Sequence, residues 1–206
     1  MGITKKAFTF IEIVVVIGVI GMSLPILFTI IFAITNQTLK VQRLSEVKKQ
    51  GDYAINVIEN TIRGYAVKIY DEDTLTNEQC NISGSTYPLA APSDGTDFYI
   101  KDISGKYFNF QLTDSKIASE SADPTDPDFD PVSDPVSVDL TSDKVFIKDF
   151  AIQCNRNTTA YPPIISISFN ICYKNPLSAV GEECIFTRAE ETASLYYQTK
   201  IKLRNY

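Results

Sequence analysis

Ile13-Val14-Val15-Val16-Ile17-Gly18-Val19-Ile20-Gly21-Met22-Ser23-Leu24-Pro25-Ile26-Leu27-Phe28-Thr29-Ile30-Ile31-Phe32-Ala33-Ile34 carries no charged side chain. As a helix rising ~1.5 Å per residue, this run crosses a hydrocarbon layer ~30 Å thick. It is too long and too apolar for the h-region of an ordinary secretory signal. Lys5 and Lys6 precede it, and the next charge is Lys40. The positive-inside tendency then predicts a cytoplasmic N-terminus and an extracytoplasmic C-terminal part.

Glu12 interrupts this simple anchor at its N-terminal edge. A carboxylate at the centre of a membrane span costs ~2.5–3.5 kcal/mol on insertion scales, and less near the interface. Two readings stand side by side. Glu12 snorkels to the headgroups, or a positive partner neutralises it inside the membrane. Gly18 and Gly21 form a small-residue pair that lets another helix approach, though Gly is also common in membrane helices.

Beyond Lys40 the pattern becomes periodic. Val41, Leu44, Val47, Gly51, Ala54 or Ile55, Ile58, Ile62, Tyr65 and Ile69 recur at steps of three and four. Arg43, Glu46, Lys48, Lys49, Asp52, Glu59 and Arg63 fill the opposite face. This is an amphipathic helix, with Lys48/Asp52 and Glu59/Arg63 as i,i+4 pairs. The spacing predicts one helix from about Phe8 to about Tyr70, its second half lying on a sheet. A coiled-coil seam is the rival, disfavoured by Gly51 and Gly64.

After Tyr70 the composition changes. Residues 71–96 are polar and read as a connecting loop. Phe98 to Ile100 and Tyr107 to Leu112 flank Ser104-Gly105 as a hairpin. Val145 to Cys154, Ile164 to Tyr173 and Ala193 to Leu203 read as further strands, the second alternating cleanly. Four or five antiparallel strands packed on the helix give an α+β fold.

The 206 residues carry a formal net charge of −6. That argues against a nucleic-acid surface, which needs clustered Lys and Arg. There is no His, so the commonest general base and metal ligand is missing. No Gly-x-Ser-x-Gly or phosphate-cradling Gly-rich loop occurs, and no enzymatic activity is expected. Cys80, Cys154, Cys172 and Cys184 all follow the anchor, and none forms a Cys-x-x-Cys pair. That usage suits two disulfides in an oxidising compartment; four reduced thiols are the alternative. Of the three pairings, Cys172–Cys184 joins neighbouring strand ends. Cys154 and Cys172 would sit at opposite ends of a hairpin, leaving Cys80 for Cys154. Asp126, Asp128 and Asp130 alternate in an Asp-Pro-rich segment and are candidate Ca²⁺ ligands. The segment lacks the Gly and terminal Glu of an EF-hand, and a solvated acidic loop is its ordinary reading. No other cofactor is expected.

The segment Lys5-Lys6-Ala7-Phe8-Thr9-Phe10-Ile11-Glu12 resembles the processing site of type IV prepilins and type II secretion pseudopilins. It departs from that pattern in having Ala7 where Gly is usual, and Pro25 lies earlier than the family's helix-breaking Pro. The resemblance implies a pilin-like fold. It implies that a prepilin peptidase cuts between Ala7 and Phe8 and N-methylates Phe8. It also implies that Glu12 pairs with the Phe8 amine of an adjacent subunit, a neutralisation that suits a low-dielectric bundle. The closing run Tyr197 to Asn205, with Glu59 to Arg63, looks like minor pseudopilins of the J or W type. The partition expected is a leader at 1–7, a membrane or filament-core helix at 8–40, its amphipathic continuation at 41–70 and a globular part at 71–206. The last would hold an acidic Pro-rich loop at 121–139.

On this reading the partners are the peptidase, other pilin or pseudopilin subunits, an inner-membrane assembly platform and lipid. The chain would be a single-pass inner-membrane protein that later enters an extracytoplasmic filament. The alternative is a bitopic membrane protein that keeps its leader and presents an extracytoplasmic binding domain.

Overall fold

The structure is a computed structural model, and it describes residues 9–71, 77–80, 85–88, 98–122, 136–158, 160–175, 184 and 192–203. One helix, α1, runs unbroken over Phe10–Tyr65. At ~1.5 Å per residue that is roughly 84 Å. Pro25 sits inside it, so the helix forgoes one backbone bond there without interruption. Every residue from Thr9 to Thr35 is exposed. The buried positions begin only at Val47 and continue through Gly51, Ala54, Ile58 and Ile62. The periodic stripe thus packs from Val47 to Ile62, while Val41 and Tyr65 remain exposed.

The helix ends at Tyr65, five residues before the expected Tyr70. Ala66 takes an extended backbone at φ −64°, ψ 126°, and its N–H closes onto the Ile62 carbonyl. Ala66–Asp71 then forms strand β1. Ile69 lies seven residues after Ile62 and so fits the helical stripe, yet it is buried as a strand residue. A register shift between Ala66 and Lys68 against the neighbouring strand lets both Ala66 and Ile69 reach the core.

Among the described residues ten strands form two antiparallel sheets, more than the four or five expected. Besides β1 they are β2 (Asn77–Gln79), β3 (Ser85–Pro88), β4 (Phe98–Asp102), β5 (Tyr107–Thr113) and β6 (Lys116–Ala122). The rest are β7 (Val136–Asp139), β8 (Val145–Arg156), β9 (Ile164–Tyr173) and β10 (Ser194–Lys202). The six-stranded sheet has the order β2-β1-β4-β5-β6-β7, and the four-stranded sheet β10-β9-β8-β3. The expected loop at 71–96 therefore contains two short strands. The expected loop at 121–139 instead includes the last two residues of β6 and all of β7. The predicted β4–β5 hairpin is present, with Gly105 at φ 91°, a conformation Gly adopts without Cβ strain.

The core is continuous. Ile165, Ile167, Phe169 and Ile171 of β9, with Ile147 and Ile152 of β8 and Ile201 of β10, cluster with the helix stripe. Ile69, Ile100, Phe108, Phe110 and Ile117 join it from the other sheet. Each such side chain is worth ~1.5–3 kcal/mol when removed from water. Asn109 and Glu120 face each other across β5 and β6 and are also buried, a polar pair that alternation alone does not reveal.

Both expected disulfides are formed. Cys172–Cys184 has a Cα–Cα distance of 5.6 Å, and Cys80–Cys154 one of 6.1 Å. The pairing logic holds because β9 and β10 are neighbours with Ser194 opposite Cys172, whereas Cys154 lies opposite Ile165. The longer bridge closes a separation of 74 residues, worth about 4 kcal/mol if the constraint acts on the unfolded chain. Arg156 reinforces that end, donating to the carbonyls of Cys80, Thr158 and Tyr161.

Candidate functional site

The N-terminal half of α1 is the segment on which the functional reading turns. Its surface is apolar on all sides: Phe10, Ile17, Ile26, Phe28 and Met22 are all more than 60% exposed. Soluble monomers rarely expose such a surface, and it suits lipid or the faces of other helices. By length and composition α1 is able to cross a membrane. Its polar side chains suit that medium as well. The hydroxyls of Ser23, Thr29, Thr35 and Thr38 donate to the carbonyls of Ile20, Pro25, Ile31 and Ile34 at 2.8–3.0 Å. Each is thereby satisfied within the helix, as hydrocarbon requires.

Glu12 is the one carboxylate in this half. It occupies the third helical position after the cap residue Thr9, and its Oε2 accepts from the Thr9 backbone N–H at 3.4 Å. The helix N-terminus is the positive end of the macrodipole, so a carboxylate is favoured there. The carboxylate therefore points back toward the start of the chain. Ala7 and Phe8, the expected cleavage and methylation residues, lie outside the described residues. Around Gly18 and Gly21 an added Cβ would meet nothing within 4 Å, so that face is open to a neighbouring helix.

The candidate calcium ligands Asp126, Asp128 and Asp130 also lie outside the described residues. Among the described residues no group of three His, Cys, Asp or Glu side chains is placed to hold a metal ion.

The second half of α1 is fastened by a contact that periodicity does not announce. A Cβ at Gly51 would sit 2.3 Å from Tyr197 Cε2, so Gly51 lets the ring lie directly on the helix backbone. The Tyr197 hydroxyl donates to Asp52 Oδ1 at 2.8 Å and lies 3.1 Å from the Lys48 carbonyl. Its ring stacks on Phe169, centroids 5.2 Å apart. Burial first, then the Asp52 carboxylate, pushes the Tyr197 phenol pKa well up. Of the two expected i,i+4 pairs, Glu59–Arg63 forms an ion pair, while Asp52 is engaged by Tyr197.

Two surface clefts flank this half of the helix. One, of about 550 Å³, lies between Lys49, Gln50 and Tyr53 of α1 and the β7–β8 connection. Lys116 bridges Asp139 at 2.5 Å and Asp143 at 3.1 Å beside it, and these bonds raise the lysine pKa, Asp139 contributing most. The other, of about 580 Å³, is lined by Arg63, Pro162, Lys200, Lys202 and Leu203. Both are open surface features.

No family model matches the chain, and neither a curated protein nor a solved structure does so.

Proposed function

We propose that the chain is a pilin-like structural subunit, a minor pseudopilin that helps initiate a type IV pilus-like or type II secretion-like filament. A prepilin peptidase removes residues 1–7, and the freed, methylated Phe8 amine pairs with Glu12 of an adjacent subunit. The observation that carries this reading is the join of two unlike halves in one helix. An all-round apolar segment with a single terminal carboxylate runs without a break into a stripe that seats an α+β domain. Filament packing needs the first half to exchange lipid for other helices, and the second half to hold a domain clear of them. The domain is placed outside the cytoplasm, in keeping with its two disulfides. The chain is read as non-enzymatic, acting through assembly.

The mature N-terminus tests the proposal. Mass spectrometry of the chain from its native membrane should find a start at methylated Phe8. An intact start carrying Lys5 and Lys6 would favour the bitopic binding protein instead.

A further inference from the structure

Where α1 leaves its apolar run, most of the charged side chains described are cationic. Lys40 is exposed, and Arg43 lies with its guanidinium 5.6 Å from the centroid of the Tyr173 ring. That contact fixes the end of β9 at the level of Arg43. Tyr173 pairs with Val145, the first residue of β8, and the Lys174 N–H donates to the Lys144 carbonyl at 2.9 Å. Lys144 and Lys174 therefore emerge from the sheet at this same end, and both are exposed. Lys48 and Lys49 lie about one turn further up the helix, also exposed. Two acids share this end, Glu46, which accepts from Gln50 at 3.0 Å, and Asp143, which faces Lys116 at 3.1 Å, and the cations outnumber them. In a chain of net charge −6, the described residues at this end run against the average.

Its position fits a specific surface. Arg43 lies about 13 Å along the helix beyond Ile34, at ~1.5 Å per residue. A headgroup layer takes up roughly 5–8 Å of that. The remaining gap is shorter than a long cationic side chain plus a Debye length of ~8 Å. We infer that Lys40, Arg43, Lys144 and Lys174 form a docking surface for anionic lipid headgroups of the bilayer that holds α1. The domain then rests on the membrane before it is drawn into any assembly. Each cation near an anionic leaflet should multiply the docked population roughly five-fold. The inference rests on the reading that residues 10–35 sit in a bilayer, and needs neither leader cleavage nor a filament.

The test uses the full chain in lipid nanodiscs, either all phosphatidylcholine or with about one third phosphatidylglycerol. Lysine reactivity toward an amine-acetylating reagent is read by mass spectrometry. Lys144 and Lys174 should react several-fold more slowly on the anionic discs, and 0.5 M salt should restore them. Lys200 and Lys202, at the opposite end of the β9–β10 pair, should not change. Met22 oxidation separates the two ways to fail. A readily oxidised Met22 overturns membrane insertion itself. A protected Met22 with equal lysine rates on both discs overturns the docking surface. So does faster labelling on anionic discs, the outcome if acidic side chains dominate this end. Protection that tracks the number of chains per disc and ignores lipid charge makes a second copy the occupant, and also overturns it.

Discussion

Residues 10–46 and 47–65 share one helix, and the difference between them lies in what surrounds the backbone. In the first part apolar side chains point in every direction, and the protein buries none of them. In the second, one stripe from Val47 to Ile62 is fully covered, Ile55 and Val57 pack partly beside it, and most of the rest is polar. Hydropathy without direction calls for an apolar medium, whereas hydropathy with direction calls for one packing partner. The first part depends on its surroundings, and the second on the sheets. A substitution should therefore be read by which half it strikes.

The sharpest contrast is between Ile58→Ala and Ile26→Ala. Ile58 is fully buried, and its truncation should cost ~2–5 kcal/mol. Ile26→Ala should leave domain stability unchanged. Urea unfolding in detergent checks both, followed by tyrosine fluorescence because the chain has no Trp. Equal effects would break the division.

Gly51→Ala comes next. The new methyl group collides with the Tyr197 ring, and overpacking of this kind costs ~1–3 kcal/mol. Combining it with Tyr197→Ala should give less than the sum of the two single losses, because the clash disappears with the ring. Strict additivity in the double-mutant cycle would exclude that contact as the source.

Tyr197→Phe should cost about 0.5–1.5 kcal/mol, rising if Asp52 is left without a partner. It also has a pH signature. The folded phenol pKa is raised above the ordinary 10.0 by burial and then by Asp52. The folded state thus holds this proton more tightly than the unfolded chain. Its contribution is constant below pH 10 and declines as pH rises beyond that. The variant should lose this part of the alkaline destabilisation, which unfolding midpoints at pH 8 and 10.5 would reveal. The smallest change belongs to Arg63→Gln. Its ion pair with Glu59 is partly exposed, so a loss of at most ~0.5 kcal/mol is expected, fading at high salt.

Much of the architecture was legible because it obeys a period. The apolar run, the stripe from Val47 to Ile62, the β4–β5 hairpin and the alternation along β9 each repeat at a helical or strand interval. The disulfide pairing was legible because strand neighbours constrain which cysteines meet. The end of α1 was misplaced because Ile69 satisfies both a helical and an extended spacing. Strands β2, β3 and β7 were missed because three or four residues are too few to show alternation, and their pairing is decided by partners far along the chain. The seven-residue β6 was missed because Lys116-Ile117-Ala118-Ser119-Glu120-Ser121-Ala122 carries only one large apolar side chain, and its place is set by pairing with β5. The site divides in the same way. Glu12 stands out as a lone acid beside an apolar run. Gly51 and Tyr197 lie far apart in sequence, and only the folded chain brings the missing Cβ against the ring.

The unbroken course of α1 through Pro25 and past Lys40 sets a phase relation between anchor and domain. Each residue added to a helix turns the portion beyond it by about 100° and lifts it by ~1.5 Å. With no hinge in between, the azimuth of the domain is geared to that of the apolar segment. One residue deleted between Asn36 and Glu46 would swing the domain by more than a quarter turn, while seven inserted would bring it back nearly to its first bearing, about 10 Å higher. The stretch between the two halves thus acts as a driveshaft, and its length in residues sets which flank of the domain is presented outward.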